Sequence, residues 1–365
     1  MALVLPPSHL RQSRSVASAW IRALSLCLMA LCAGGRDGWL EASQSNPALI
    51  QERLNRAGSN LFSGTTRADQ AIPELKAILA DDPRLPEAHL LLAVAYRMQG
   101  SADLIGEAKA ELVQALALKP DLVPARVYLV QMYLDLGRAA TAREVLSEGL
   151  VRSPHDPQLE SLSAETERQL GHPDRAVELA RQVLRRDDAF AQARYYLGLA
   201  LLDAGKRDEA ITELEQVVHA GPKVADANLA LGAACLDAGR VDEALDVLRQ
   251  GTTIDPARPD LRIRLARAYR MKGLLDTADA QLALARPKPA STTAPQFLRQ
   301  QAGPDFYLEL GLLRRRQGRL QAAADAFRKA LDIQSDREEA ARELAEVRTL
   351  LQHRARKPSP PGDRP

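Results

Sequence analysis

Aromatic residues and cysteines are scarce in this chain. Phe, Trp and Tyr make up 4% of the 365 residues, although 46% of all residues are hydrophobic, and the chain has three cysteines. With so few rings, a folded core must be built from aliphatic and small side chains. Three cysteines also exclude the set of disulfides that holds small secreted domains together. The composition is typical of helices that pack closely through Leu and Ala.

Motifs of catalysis and of metal or phosphate binding are missing from the sequence. It contains no H-E-x-x-H, G-x-S-x-G, S-x-x-K or C-x-x-C. Gly205 and Lys206 resemble the end of a phosphate-binding loop, but Arg207 stands where Ser or Thr must hold magnesium. The six histidines are scattered, and none lies at metal-ligand spacing from another ligand. We therefore expect no enzymatic activity, no cofactor and no metal site.

A strong charge of one sign is also lacking. The chain has 49 basic and 47 acidic residues, a net charge of +2. Nucleic-acid binding needs a basic face with interleaved aromatic residues, and no such stretch occurs, so we expect no nucleic-acid partner. One basic cluster lies near the C-terminus and includes Arg315 and Arg316. Either a solvated helix face or a contact patch for an acidic partner or lipid headgroups would explain it.

The first 36 residues contain no Asp or Glu. Three arginines precede an apolar run of eleven residues, Ala23–Ala33. Such a run is too short to cross a bilayer but is typical of the central region of a signal peptide. Ala33 and Gly35 are small residues at the spacing that signal peptidase prefers. We therefore expect residues 1–35 to be a signal peptide, and membrane contact to occur only through it.

An uncleaved anchor and a cytosolic chain are the alternatives to export. A lipid-attachment motif is excluded because a leucine precedes both Cys27 and Cys32. Cleavage would leave Cys235 as the single cysteine, which we interpret as a buried packing residue, and 46 basic against 47 acidic residues. The Arg- and Ala-rich composition is typical of a bacterium with a GC-rich genome. The expected location is the periplasm or cell envelope of a Gram-negative-type bacterium.

The chain repeats itself every 34 residues. Six alanines keep this interval without a slip, namely Ala108, Ala142, Ala176, Ala210, Ala244 and Ala278. Glycines and prolines recur on nearly the same interval. A period of this length indicates an array of stacked units rather than a single globular core. It also favours an extended binding surface over a catalytic site.

Each recurring residue type has a physical role in a pair of helices. In the most regular unit, the pattern predicts a first helix over Ala191–Ala204 and a left-handed glycine cap at Gly205. Asp208 suits the start of the second helix, by capping and by its charge near the positive end of the dipole. Gly198 and Ala210 are small, which lets the two helices approach closely.

With Ala191 taken as position 1, the units resemble the tetratricopeptide repeat. Position 8 is glycine in three units, position 11 is aromatic at Tyr96, Tyr133 and Tyr269, and position 20 is the alanine series. The tryptophan that the family carries at position 4 is replaced by His89, Arg126, Arg194, Asn228 and Arg262, which we expect to weaken helix packing. The resemblance implies an all-α fold, a right-handed superhelical solenoid of stacked helix-turn-helix repeats.

The repeats divide the chain as follows. Seven units, the first divergent, occupy residues 46–286, a linker or loop follows over 287–303, and an eighth unit covers 304–335. A charged helix over 336–357 suits the role of a polar cap, and 358–365 should be a disordered tail. We expect these parts to form one elongated domain.

The resemblance also implies where a partner binds, because the first helix of each repeat lines a concave groove through positions 2, 5, 9, 12 and 13. The resulting candidate residues are Tyr195, Leu199, Leu202, Leu229, Leu236, Ile263, Arg267, Arg270, Arg315 and Arg316. Further groove positions are Leu90, Val94, Met98, Val127, Gln131 and Leu134. The groove should be apolar with an acidic fringe at Asp203, Asp226 and Asp237, and basic near its C-terminal end. Packing between neighbouring repeats is the alternative role for these leucines.

These features predict a non-enzymatic interaction scaffold that holds a protein segment in its groove. Two other functions stay open: binding of a cell-wall glycan or lipid, and service as an accessory subunit of an enzyme or assembly complex on another chain. Self-association is also open, because the ends of a solenoid can stack.

Overall fold

The computed structural model describes residues 47–62, 68–99, 103–221, 225–286 and 303–356. This part of the chain contains seventeen α-helices and no strand, which confirms the all-α solenoid. The predicted signal peptide, the predicted tail and residues 287–302 of the predicted linker lie outside the described residues. Gly303, predicted to end the linker, is instead the first residue of a helix.

The helices follow one another in pairs at the intervals that the sequence period predicts. Their bounds in the N-terminal half are α1 Pro47–Phe62, α2 Ala68–Asp81, α3 Pro86–Gln99, α4 Leu104–Leu118, α5 Val123–Asp135, α6 Ala139–Arg152, α7 Pro157–Gln169, α8 Pro173–Leu184, α9 Ala191–Asp203 and α10 Arg207–Ala220. The others are α11 Ala225–Asp237, α12 Val241–Ile254, α13 Pro259–Met271, α14 Leu275–Ala285, α15 Gly303–Arg316, α16 Leu320–Ile333 and α17 Glu338–Arg356.

Glycine turns join the two helices of a repeat. Gly205 has φ of 76°, a left-handed conformation that costs glycine nothing because it lacks a Cβ. Its N–H donates to the carbonyl of Leu202 (3.0 Å), and the N–H of Lys206 donates to the carbonyl of Leu201 (2.8 Å). These two bonds form a Schellman motif, which satisfies the last carbonyls of α9.

The second helix of this repeat does not use Asp208 as its cap. Helix α10 begins at Arg207, its N-cap is Lys206, and no side chain caps it. Asp208 and Glu209 lie in the first turn, where their negative charges interact favourably with the positive end of the helix dipole. Capping was therefore the wrong part of the prediction, because the helix begins one residue before Asp208.

Small residues allow the two helices of a repeat to touch. All six alanines of the 34-residue series have no exposed surface. Gly198 faces Leu214, Gly232 faces Leu248, and Gly311 faces Phe327. A Cβ at any of these glycines would lie 2.4–2.6 Å from a side-chain carbon of that neighbour. In these three repeats the residue at position 24 fills the space that a side chain at position 8 would need.

The described residues divide into two compact units, an N-terminal unit that ends at Ala230 and a C-terminal unit that begins at Leu231. This differs from the single elongated domain that the repeats predict. In a solenoid each repeat contacts only its neighbours, so the 34-residue period by itself does not set the number of compact units.

Each unit has its own core. In the N-terminal unit, one cluster of buried side chains runs from Ile50 to Leu162 and includes Tyr196, and another surrounds Leu197 and Leu201. In the C-terminal unit, Leu308 and Phe327 pack against Leu344 and Val347 of α17. Cys235 is buried as well.

Candidate functional site

Helix α9 carries three of the predicted groove residues on one face. Tyr195, Leu199 and Leu202 are spaced by four and three residues, and each is half-buried. Tyr195 and Leu199 pack against the large N-terminal cluster, whereas Leu202 packs against the cluster of Leu197 and Leu201. The Tyr195 and Tyr196 rings lie 5.6 Å apart. These side chains therefore both support the core and present apolar surface.

Leu229 of α11 is half-buried like them, but two of the apolar candidates differ. Leu236 is 2% exposed and Ile263 is 4% exposed. Neither offers a partner any surface in this structure. Both residues belong to the interior of the protein, which is the alternative role for groove candidates of this kind.

The predicted groove residues of α3 and α5 are also mostly interior. Leu90, Val94 and Val127 are at most 4% exposed, while Met98 is 38% exposed. Gln131 is 4% exposed, and among the residues that the structure describes neither polar atom of its side-chain amide has a hydrogen-bond partner. A buried polar group without a partner is costly, so Gln131 marks an unsatisfied point in the N-terminal unit.

Two other side chains share this property in part. In the part of the chain that the structure describes, Nη1 of Arg97 and Oε1 of Gln192 are buried without a partner. Nη2 of Arg97 donates to Asp135 (3.4 Å), and the guanidinium lies 5.4 Å from the centre of the Tyr128 ring. Burial raises the pKa of the Tyr128 hydroxyl to about 12, an effect that the charge of Arg97 opposes.

The predicted acidic fringe is paired with arginines. Arg168 donates to Asp203 (2.7 Å), and Arg97 donates to Asp135 in the same way. In both cases the residue at position 12 of one repeat contacts the residue at position 13 of the next repeat. In the C-terminal unit Arg267 donates to Asp237 (3.1 Å). Bonds to Glu165 and Asp203 raise the pKa of the Arg168 guanidinium, with Glu165 the larger cause. Asp226 is buried, so it does not belong to an exposed fringe.

The predicted basic end of the groove is compensated as well. Arg270 makes two bonds to the carboxylate of Glu309 (2.8 and 2.9 Å), and both side chains are largely buried. Arg315 contacts Glu343 and Glu346 of α17, and the bond to Glu343 raises the pKa of its guanidinium. The charges of Arg270 and Arg315 are thus paired with carboxylates of the same protein. The partners lie 28 to 39 residues away in the chain, a distance at which the sequence alone does not reveal the pairing.

Arg316 is the most exposed of the predicted arginines. Its Nη1 donates to the carbonyl of Arg270 (3.0 Å), and the residue is exposed. Within the described residues, the other predicted arginines each form an ion pair with a carboxylate, and Arg316 does not. A role in binding an acidic group remains a prediction for this residue alone.

The residues at position 4 form contacts that the sequence did not indicate. Arg126 donates to the carbonyls of Pro120 (2.9 Å) and Val145 (3.1 Å). Arg194 bonds to the Asp188 carbonyl and to Glu213, and Arg262 bonds to the Pro256 carbonyl and to Gln281. In each case one partner is six residues before the arginine and the other is nineteen after it.

His89 makes the same kind of contact in the second repeat. Its Nε2 lies 3.1 Å from the Pro83 carbonyl, six residues earlier, and its Nδ1 lies 2.5 Å from Glu111 on α4. We call this arrangement the position-4 clamp. In these repeats a basic side chain joins the preceding loop to the second helix at the position where the family carries tryptophan.

The described residues contain no group of His, Cys, Asp or Glu that could hold a metal ion. None of the helices in this part of the chain is long and apolar enough to cross a membrane.

Comparison with known proteins identifies the repeat. Two sequence models of the tetratricopeptide repeat match this chain, one at residues 59–104, 162–206, 197–259 and 275–338 and the other at 105–165 and 235–296. A search of curated proteins finds no match. The chain belongs to the tetratricopeptide repeat family.

Solved structures share the fold at low sequence identity. A chain of the APC/C hetero-tetramer Cut9–Hcn1 is 15% identical with a TM-score of 0.65, and the match covers 84% of this chain and 57% of that one. The present chain thus spans little more than half of that relative. Human IFIT1, in a dimer with PPP-AAAA, is 18% identical with a TM-score of 0.56, over 87% of this chain and 79% of that one. These similarities concern the helical-repeat fold.

Proposed function

We propose that this protein is a scaffold that binds a segment of a partner protein through the first helices of its repeats. The observation that carries the proposal is the row of Tyr195, Leu199 and Leu202, which keep apolar surface on one face of α9. Apolar anchors on such a face suit an extended or helical peptide. The adjoining Arg168–Asp203 pair supplies charges that could set the direction of the peptide.

A variant with Leu199→Glu and Leu202→Glu tests the proposal. The protein is cross-linked in its native cells, recovered and identified with its partners by mass spectrometry. Two new charges on the face of α9 should remove a true groove partner, while helical circular dichroism stays unchanged.

The matched control places the same two charges elsewhere. Val113 and Val151 lie on the second helices of their repeats and are 49% and 81% exposed. The double variant Val113→Glu and Val151→Glu should keep every partner that the wild-type chain recovers. Equal recovery of all partners by both variants would count against the α9 surface as the binding site.

We also propose that the protein works in the bacterial periplasm or cell envelope. The support is the segment before residue 36, with its arginines, its lack of acidic residues and its apolar run. N-terminal sequencing of the protein from envelope fractions should find Arg36 as the first residue. An intact Met1 terminus in the envelope would indicate a retained anchor, and recovery from the cytosol would overturn the proposal.

A further inference from the structure

The buried polar atoms without a partner are concentrated on first helices of the N-terminal unit. Within the described residues there are five such side-chain atoms, and four of them belong to Arg97, Gln131 and Gln192. These residues lie on α3, α5 and α9, the first helices of the second, third and fifth repeats. The fifth atom, on Glu160, lies beside the guanidinium of Arg186. The other four atoms thus lie on helices of the kind to which the proposed function assigns partner binding.

Arg97 lies along the face of α5 that carries Gln131. Its Nη2 donates to Asp135 (3.4 Å), and its guanidinium is 5.4 Å from the centre of the Tyr128 ring. Tyr128 comes three residues before Gln131 and Asp135 comes four residues after it, so the three side chains are neighbours on one helix face. The unpaired donor of Arg97 is therefore close to the unpaired amide of Gln131.

Gln192 belongs to the same region of the N-terminal unit. Its Nε2 donates to the hydroxyl of Tyr196 (3.3 Å), and its Oε1 is the unpaired atom. Tyr196 is part of the buried cluster that also contains Tyr128. Burial raises the pKa of the Tyr196 hydroxyl, and the charges of Glu165 and then Asp135 add to the effect. The unpaired atoms of α5 and of α9 therefore border the same part of the unit.

The four unpaired atoms are two donors and two acceptors. Nη1 of Arg97 and Nε2 of Gln131 carry protons, whereas Oε1 of Gln131 and Oε1 of Gln192 carry lone pairs. A carboxylate can only accept and an ammonium group can only donate, so neither would serve all four atoms. Peptide groups serve both kinds, because each has one N–H and one C=O. The set is complementary to a polypeptide main chain.

The conformation of that main chain follows from which of its groups are available. Within a helix the N–H and C=O groups are bonded to one another, whereas an extended chain keeps them available along its edges. We propose that the N-terminal unit binds its partner segment in an extended conformation, with main-chain groups bonded to Arg97, Gln131 and Gln192. This inference rests on the proposed function and decides between the extended and the helical peptide, either of which suits the apolar row of α9.

The apolar row of α9 adjoins this site. Gln192 lies one turn before Tyr196, and Tyr195 and Leu199 lie beside them on the helix, with the two tyrosine rings 5.6 Å apart. Gln131 and Gln192 are at most 5% exposed, so binding requires neighbouring side chains to turn aside. Tyr195 and Leu199 are the partly exposed ones on this face of α9. The free protein carries the cost of the unpaired atoms, and the complex removes it.

A peptide selected on the whole chain serves as the probe. A random library of short peptides is displayed on phage, and a peptide that the wild-type protein retains is synthesised. Calorimetric titration then compares wild type with Gln131→Leu and Gln192→Leu, which remove the polar atoms and keep a similar side-chain volume. Each variant should bind the peptide about tenfold more weakly. The matched control Gln114→Leu, at an exposed position on α4, should bind it like wild type.

Stability separates a binding role from a structural one. In the free protein Gln131→Leu should raise the midpoint of denaturation, because it removes two unpaired polar atoms. Weaker binding together with higher stability is expected only where the ligand supplies the missing partners. Unchanged affinity in both Gln131→Leu and Gln192→Leu would overturn the proposal. A lower midpoint in Gln131→Leu would do the same, since water would then satisfy the amide in the free protein.

N-methylation of the peptide shows whether its main chain makes the contacts. Each N–H is replaced in turn by N–CH3, which removes one donor and keeps the side chains. At least one replacement should weaken binding to wild type about tenfold and cause little further loss with Gln131→Leu. Equal losses with the two proteins at every position would overturn the proposal, as would a peptide that NMR finds helical in the complex.

The proposed function and this inference can fail separately. The double variant with Leu199→Glu and Leu202→Glu tests the apolar row, whereas Gln131→Leu and Gln192→Leu test the polar site. Loss of the peptide in the first variant with full affinity in the other two would keep the scaffold and refute the main-chain site. A library that yields no peptide would count against both.

Discussion

Gly198 and Leu214 occupy one continuous space between α9 and α10. A Cβ placed on Gly198 would lie 2.6 Å from Cγ of Leu214 and 2.7 Å from its Cδ2. Real Cβ atoms do not approach carbons this closely, and Leu214 has no exposed surface into which it could move. The contact between these helices thus depends on the absence of a single methyl group.

Replacing Gly198 with Ala should therefore destabilise the protein. Overpacking a core by one methyl costs about 1–3 kcal/mol. Although alanine favours a helix over glycine by about 1 kcal/mol, the clash with Leu214 outweighs that gain. Chemical denaturation monitored by circular dichroism would measure the loss.

Gly106→Ala is the matched control for this prediction. Gly106 also lies in a helix, α4, but a Cβ there would meet nothing within 4 Å. Helix propensity alone then acts, so Gly106→Ala should be neutral or stabilising. A Gly198→Ala protein as stable as Gly106→Ala would show that α9 and α10 lie farther apart than described.

The position-4 clamp makes a second prediction, on Arg126. The residue is 5% exposed, and its guanidinium bonds to the carbonyls of Pro120 and Val145. Arg126→Met keeps most of the volume but leaves both carbonyls without this donor. We expect a loss of about 1–3 kcal/mol in the free energy of unfolding. Arg143→Met, at an arginine whose side chain is 57% exposed, should change stability little.

The sequence predicted the helices well because their signals are local. Gly205 ends α9 through its own backbone freedom, and Ala210 lies inside because a larger residue could not. Each of these signals depends on residues within one repeat and is repeated along the chain. The family assignment follows from that repetition.

The chemistry of the candidate site was harder to predict because its partners are distant in sequence. From the sequence alone, Arg270 was expected to be an unpaired cation. Its partner Glu309 lies 39 residues later, and only the fold brings the two side chains together. Leu236 and Ile263 have the spacing of surface positions but are buried. The position-4 contacts were not predicted, since nothing in the sequence of one repeat shows that an arginine reaches back six residues to a carbonyl. Such contacts depend on the relative placement of helices, which a periodic pattern does not specify.

A third prediction concerns the unsatisfied amide of Gln131. Both polar atoms of its side chain are buried with no partner within the described ranges, so the folded state carries their desolvation cost. Leucine has a similar volume and no polar atoms, and Gln131→Leu should raise stability by about 1–3 kcal/mol. A fall in stability would mean that water or another group satisfies the amide in solution. Gln131→Glu, which buries a charge, should destabilise and serves as the opposite control.

The last prediction decides whether Arg270 serves the fold or a ligand. Arg270 and Glu309 are 12% and 8% exposed and share two hydrogen bonds. Arg270→Met leaves the carboxylate of Glu309 buried without its partner, which should cost about 3–5 kcal/mol. Adding Glu309→Met removes that lone charge, so the double variant should regain much of the lost stability. Denaturation of the two single variants and the double variant completes the cycle and gives the coupling energy. Additive losses would mean that the pair does not form in solution, and would return Arg270 to the candidates for binding an acidic partner.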